Sequence, residues 1–271
     1  MLKKDALIYE FPMTIPSYLV GCGGVTRLEN LFMLFQESAW HHAEKLGFGF
    51  DTMKEKKLIW LLYRLRIKTF SMPRWGQRIS IKTWPLEARK IYAYRFFSVN
   101  DETGKKLLEA TSTWILADTE HRHPASVKPN IDPHLNTLTE GNKHCPDDFS
   151  TQLPRKIPSF KTADESIASV KPRFSDMDVH SHTTNSTYVR WISDALANKG
   201  FVPEKIESFE INFLSEVLAG DTVDLFISKE SSSEVSVIIK HRKSGRHAAR
   251  AHLKIKDDNA SLFSGKMYSQ F

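Results

Sequence analysis

The chain has 271 residues, 41% of them hydrophobic and 26% charged, so it can bury a core and falls outside the disordered and collagen-like classes. Its formal charge of +6 favours an acidic partner. No apolar run reaches the length of a membrane span, and "MLKKDALIYEF" lacks the apolar centre of a secretory signal. Cys22 and Cys145 match no metal spacing, which suits a reducing compartment.

In chain order, apolar residues at Leu28, Leu31, Phe32, Phe35, Ala39 and Ala43 form a helical stripe over 26–47 that Gly47 ends. Strand-like runs follow at 58–70, 77–84, 91–100 and 106–118, with the "DETG" hairpin signal at 101–104. The stretch from Tyr63 to Val99 is basic: Arg64, Arg66, Lys68, Arg74, Arg78, Lys82, Arg89, Lys90 and Arg95 stand against Glu87. In strands, Arg64, Arg66 and Lys68 share one face, as do Arg78 and Lys82, leaving Leu65, Ile67, Ile79 and Ile81 for the core. A solvated outer face and a docking surface for an acidic partner both fit this pattern.

Residues 129–165 are proline-rich and without period, and read as a linker. The first pattern then returns: a helix over 183–200, then strands at 206–215, 221–229, 234–242 and 246–256. "KLGF" at 45–48 matches "NKGF" at 198–201, and "GQRISI" at 76–81 matches "GDTVDL" at 220–225. Helix and sheet repeated in the same order point to duplication. One long helix covering one face of a bent antiparallel sheet is an α+β layer arrangement. The expected division is a module over 1–128, a linker over 129–165, a second module over 166–256 and a tail over 257–271.

Titratable residues concentrate in "SDMDVHSHTTNSTYVRW", 175–191. If the chain is extended there, Asp178, His180 and His182 face one way. Thr183, Thr184 and Asn185 are all competent to cap the helix that follows, whose first N–H groups and positive dipole end would serve a developing oxyanion. Asp-x-His-x-His also offers three metal ligands, but no fourth follows at a recognisable spacing. Polar groups capping a helix at the surface are the plainer alternative.

The same stretch resembles the signature of the acyl-acyl-carrier-protein thioesterases, whose plant members carry SDLD-x-N-x-H-x-NN-x-x-Y-x-x-W ahead of the second helix. "GCGGVTRLENLFMLFQESAWHHAEKLGFGF", "LIWLLYRLRIKTFSMPRWGQRISIKTW" and "TGKKLLEATSTWILAD" are similar to the family's first half, so the likeness covers about residues 8–256. It implies an α+β double hot dog fold, two helix-in-sheet modules in one chain. It also implies hydrolysis of fatty acyl-ACP without a cofactor or a resident metal. Asp178, His182 and Asn185 match the pattern, and His180 stands where the family has asparagine. Glu216 of "FLSEVLAGD" matches the family's glutamate, and Val217 stands where plant members often have cysteine, so a cysteine nucleophile is excluded there.

The resemblance thus implies Glu216 and Asp178 as the carboxylates that orient and deprotonate water, either being the base. His182 would be positioned by Asp178 or carry the proton, and Asn185 with the helix amides would hold the thioester oxygen. The first-half helix has no equivalent polar cluster, so Phe32, Phe35, Ser38, Ala39 and Trp60 become candidates for the acyl pocket, with plain core as the alternative. The basic stretch gains an acidic partner in acyl carrier protein, through Arg64, Arg66, Lys68, Arg74, Arg78, Lys82, Arg89 and Lys90. Rival readings are an acyl-CoA thioesterase or hydroxyacyl dehydratase on the same fold, and a non-catalytic acyl- or nucleic-acid-binding protein; no nucleic-acid motif accompanies the charge. A bacterial cytoplasmic location is expected, no plastid-type presequence preceding the first strand. Chain length and oligomeric state, a homodimer included, stay open.

Overall fold

The apolar stripe at Leu28, Leu31, Phe32 and Phe35 becomes α1, Leu28–Lys45, and each of those four residues is buried. Gly47 follows at φ 78°, a left-handed position that a residue with a Cβ resists. The computed structural model describes residues 8–121, 123–127, 130, 152–162, 165–198 and 205–256. The chain divides into two compact units, one of residues up to 26 and 33–154, the other of 27–32 and from 155 onward.

The first unit is an antiparallel sheet with one long helix. Its strands are β1 (Tyr9–Thr14), β2 (Leu58–Thr69), β3 (Arg78–Arg89), β4 (Tyr92–Asp101) and β5 (Lys106–Asp118). They run in the order β1-β3-β4-β5-β2. The short helix α2, Phe50–Glu55, precedes β2 and buries only Met53. Phe35 of α1 packs on Phe97 of β4 with ring centroids 4.8 Å apart. The hairpin expected at 101–104 is present: Asp101 Oδ1 accepts the N–H groups of Thr103 and Lys105, and Gly104 takes φ 86°.

Two departures have plain causes. Proline at position 12 hides β1 from a pattern reading, yet an edge strand, paired only to β3, tolerates it. β3 continues past Trp84 to Arg89 because Pro85 sits beside a bulge, where no ladder donor is required. A second bulge, between Leu62 and Arg64, changes the phase of β2, so that Leu62, Leu65 and Ile67 are all buried while Arg64, Arg66 and Lys68 share the other face.

The second unit repeats the plan with β6 (Ala168–Val170), α3 (Asn185–Ala197), β7 (Ile206–Phe213), β8 (Val223–Lys229), β9 (Glu234–His241) and β10 (His247–Ile255). The strand order is β7-β10-β9-β8-β6. Tyr188 of α3 meets Phe213 edge to face at 5.5 Å, which puts Phe209, Ile211 and Phe213 on the helix-facing side. Glu210 and Asn212 point the other way, where Asn212 accepts the Ile157 N–H at 2.8 Å and donates to the Arg155 carbonyl at 3.0 Å. Residues 152–162, inside the expected linker, thus have no regular secondary structure but lie on that outer face from Arg155 to Thr162, where Lys240 meets Thr162 at 2.8 Å. The helix predicted to reach Gly200 ends at Ala197, and 199–204, linker residues 129, 131–151 and 163–164, and the tail lie outside the described residues.

Phe97 is 1% exposed, and truncating it should show how far the first unit depends on the aromatic contact with α1. Phe97→Ala is expected to cost about 3–5 kcal/mol in urea unfolding.

Candidate active site

The stretch ahead of α3 is not extended. Met177 and Thr183 form a bridge, and Asp178 N–H donates to the His182 carbonyl at 2.8 Å, so 178–182 is the tip of a tight turn. Asp178 Oδ1 builds that turn, accepting the N–H groups of His180 at 2.9 Å and His182 at 3.0 Å. Ser181 completes it at φ 61°. This corrects the expectation that Asp178, His180 and His182 share one strand face: a short carboxylate beside free backbone donors closes on them. The turn leaves Asp178 and His180 exposed and His182 partly covered. Among the described residues, groups of three ligand-competent side chains gather at Asp118, His121 and His123 and at Glu230, Glu234 and His252.

Of the three candidate caps, Thr184 takes the N-cap position and Asn185 is the first helical residue. Asp176, 1% exposed, anchors the entry: its carbonyl accepts Thr184 N–H at 2.8 Å and its carboxylate meets Arg190.

Glu216 arrives from the other side, on the loop after β7. Its Oε2 lies 3.7 Å from His182 Nε2, and Glu216 is about half exposed against 23% for His182. The residues flanking Glu216 are fixed. Val217 is fully buried; its N–H donates to the Tyr188 hydroxyl at 3.0 Å and its carbonyl accepts from Thr183 N–H and Oγ1 at 3.2 and 2.6 Å. The Tyr188 hydroxyl in turn reaches the Ser215 carbonyl at 3.5 Å. Ser215 Oγ donates to the His247 carbonyl at 3.0 Å and lies 3.0 Å from His241 Nε2, whose Nδ1 is 3.7 Å from Asp221.

One phenol therefore brackets Glu216. Burial raises the Tyr188 pKa above its ordinary value, and the Glu216, Asp221 and Asp178 carboxylates raise it further. The hydroxyl stays protonated and available as a donor. Sequence reasoning missed Tyr188, Ser215, His241 and Asp221; the tyrosine of the Y-x-x-W piece was the available signal.

The acyl-pocket candidates are packed. Phe32 is 3% exposed and meets Phe209 edge to face at 5.8 Å, while Ser38 Oγ donates to the Phe35 carbonyl at 3.0 Å. Ala39 is buried, and Trp60 donates from Nε1 to the Phe48 carbonyl at 3.3 Å. A polar cleft of about 290 Å³ opens between the 76–78 turn and the 101–103 hairpin, and none of the candidate site residues lines it.

Among the basic residues, Arg74, Arg78, Lys82, Arg89 and Lys90 are exposed and Arg64, Arg66 and Lys68 half-buried. Three carry acidic neighbours: Arg78 with Glu102 at 4.0 Å, Lys82 with Glu10 at 3.8 Å, Arg89 with Glu87 at 2.9 Å. Arg95 does not belong with them. It is 6% exposed, donates to His42 Nδ1 at 3.0 Å and Thr83 Oγ1 at 3.1 Å, and burial brings its guanidinium down to about 9.

A helix laid on an antiparallel sheet, made twice in one chain, with a carboxylate and an imidazole beside the second helix's amino end, defines a tandem hot dog protein. The model of the acyl-ACP thioesterase N-terminal domain matches residues 6–134, and that of the C-terminal domain residues 160–257. The chain belongs to the acyl-ACP thioesterase family. It is 27% identical over 232 residues to oleoyl-acyl carrier protein thioesterase 1 of Arabidopsis thaliana, covering 82% of this chain and 64% of that protein. It is 28% identical over 226 residues to the acyl-[acyl-carrier-protein] hydrolase FATB1 of Cuphea viscosissima, covering 79% of this chain and 52% of that one. The chain therefore spans less than two thirds of the length of these chloroplastic relatives. Its fold is that of an acyl-ACP thioesterase from Bacteroides thetaiotaomicron, with TM-score 0.77 and 23% identity over 94% of this chain and 100% of the other. The 12:0-ACP thioesterase from Umbellularia californica gives 0.75 and 23%, over 91% and 96%.

Tyr188→Phe strips the acceptor from the Val217 N–H, a buried group, and is expected to lower stability by about 1–3 kcal/mol in chemical denaturation, with helix content unchanged by circular dichroism.

Proposed function

We propose that the chain hydrolyses the thioester of fatty acyl-ACP to a free fatty acid and the carrier thiol, with Glu216 as the general base. The observation that carries this reading is the approach of Glu216 to His182 at 3.7 Å on a loop held from both sides. Glu216 takes a proton from water as the water attacks the thioester carbon. The oxyanion settles against Asn185 and the amino end of α3, where backbone donors and the helix dipole favour negative charge. His182 gives a proton to the departing thiolate.

Asp178 acts through the turn it builds, presenting His182 with the carboxylate oxygen that accepts two N–H groups. His180, in the family's asparagine position, lies exposed on the same turn. No metal or cofactor enters these steps. The acyl chain lodges along the first module, near Phe32, Phe35, Ser38, Ala39 and Trp60. On this reading the module over 1–128 takes the acyl chain and that over 166–256 the chemistry, with Phe32 counted in the second compact unit.

The carrier is an acidic protein drawn to the exposed Arg74, Arg78, Lys82, Arg89 and Lys90 and to the half-buried Arg64, Arg66 and Lys68. A cytoplasmic, bacterial setting goes with this reading, supported by the exposed free thiol of Cys22.

Glu216→Gln keeps the size of the side chain and removes the base. Turnover of acyl-ACP is expected to fall roughly 10²–10⁴-fold with the fold intact by circular dichroism, the range that general-base catalysis supplies; near-native turnover would remove Glu216 from the chemistry. Docking has its own signature. In the Arg78→Glu/Lys82→Glu variant, kcat/KM for acyl-ACP should drop roughly tenfold at low salt while that for acyl-CoA holds. Equal effects on both substrates would point to acyl-CoA as the true thioester.

A further inference from the structure

Asp118 ends β5, and the chain behind it folds straight back. Its N–H donates to the His123 carbonyl at 2.9 Å, Ala125 N–H donates to the Leu116 carbonyl at 2.8 Å, and Ala117 bridges Pro124. Thr119 ties the loop to the chain ahead of β2, donating to the Lys57 carbonyl through its N–H at 2.9 Å and its hydroxyl at 3.0 Å. Inside this closed loop the Asp118 carboxylate is divided between two tasks. Oδ1 accepts the N–H groups of Glu120 and His121, both at 2.8 Å, which turns Oδ2 toward His121 Nδ1 at 3.1 Å.

The His121 and His123 rings lie face to face, centroids 5.6 Å apart and planes 18° from parallel. One ligand atom from each of Asp118, His121 and His123 lies within 4.8 Å of the other two. Both histidines are exposed, so a hydrated ion can reach them. The remaining acid of the loop, Glu120, is turned to Lys57 at 2.7 Å.

Two imidazoles and one carboxylate make a donor set of borderline softness. It suits zinc and its first-row neighbours, whereas calcium and magnesium take oxygen ligands. With metal–ligand bonds of about 2.0–2.2 Å, neighbouring ligands of a tetrahedral ion stand roughly 3.3 Å apart, so the Asp118–His121 pair already has the required spacing and His123 needs only a side-chain rotation. The bonds above hold the backbone at Asp118, His121 and His123.

We propose that Asp118, His121 and His123 bind one divalent transition-metal ion of the zinc class, with water completing its coordination. None of the residues assigned to thioester chemistry belongs to it. The loop runs on into Ala125 and Val127, which pack against the apolar cluster of Leu46, Phe48, Leu58 and Leu116 in the first unit. An ion at 118–123 would therefore fasten the cover of that cluster and stabilise the fold by mass action.

The test is calorimetric titration of untagged, chelator-treated protein with Zn²⁺ alone, beside Mg²⁺ and the His121→Ala/His123→Ala variant. The expected result is one Zn²⁺ per chain, no saturable Mg²⁺ binding, and a Zn²⁺-dependent rise in Tm. The double variant should bind Zn²⁺ at least 100-fold more weakly, beyond the roughly 10–100-fold that loss of an outer-shell partner costs. Its melting in the absence of metal should match the parent, both side chains being exposed; His121→Gln/His123→Gln repeats the test should the alanine pair fail to fold. Absence of saturable Zn²⁺ binding, or binding that survives the double variant and is lost in His252→Ala, beside Glu230 and Glu234, overturns the proposal. Neither result depends on thioesterase activity.

Discussion

The structure around the candidate site depends on the backbone of one buried residue. Val217 has no exposed surface, so its N–H and carbonyl must find partners inside the protein or cost the fold their desolvation. Tyr188 takes the N–H, and Thr183 supplies both donors to the carbonyl. Those two residues flank the start of α3. The loop after β7 and the amino end of the helix are thus fastened to each other through the residue next to Glu216, and Glu216 is the side chain left facing outward. Val217 is thus the anchor of the loop that carries Glu216.

The repeated helix and sheets were legible because their cause is periodic: every 3.6 residues for α1 and α3, every two for the strands. Elements whose causes are not periodic escaped. β1 carries Pro12, acceptable only because an edge strand has a side without a partner, and nothing local announces an edge. The extension of β3 beyond Pro85 depends on a bulge that the β4 partner defines. The 178–182 turn is a different matter. Aspartate two and four residues before free N–H groups is a recognised turn former, and a reading that weighed it against strand alternation would have found the turn. The identities of Asp178, His182 and Glu216 came from the motif, and the fold brings His182 within 3.7 Å of Glu216. Tyr188 and Ser215 stayed hidden because their work is to bond backbone atoms more than 25 positions away in the chain.

Charge illustrates the same limit. Arg64, Arg66, Lys68 and Arg95 are indistinguishable as letters in a basic run, and the alternation of β2 places the first three outside. Arg95 falls on the inward side of β4, among Phe97 and Thr83, where no carboxylate meets it among the described residues. Arginine cannot accept a hydrogen bond, so His42 Nδ1 must present its lone pair to Arg95 and carry its proton on Nε2. A buried cation held by two neutral acceptors is costly, which is why burial brings its pKa down to about 9 while leaving it charged at neutral pH.

The two halves therefore share a plan and differ in where polarity enters it. In the second, polar groups collect at the amino end of α3, on a turn and a loop open to solvent, where a helix dipole favours a developing negative charge. In the first, α1 buries Asn30, Ser38 and His42, and His42, well along the helix and 1% exposed, is paired with an arginine inside the sheet. An interior polar pair cannot serve water-borne proton transfer, since water has no path to it in a packed core. It does impose direction and register on the helix, because sliding α1 by one turn would strand a buried guanidinium, a far larger penalty than any apolar mismatch. Two helices with the same place in the plan thus differ in polarity: α1 is held by its buried pair, and α3 begins beside a polar turn open to solvent.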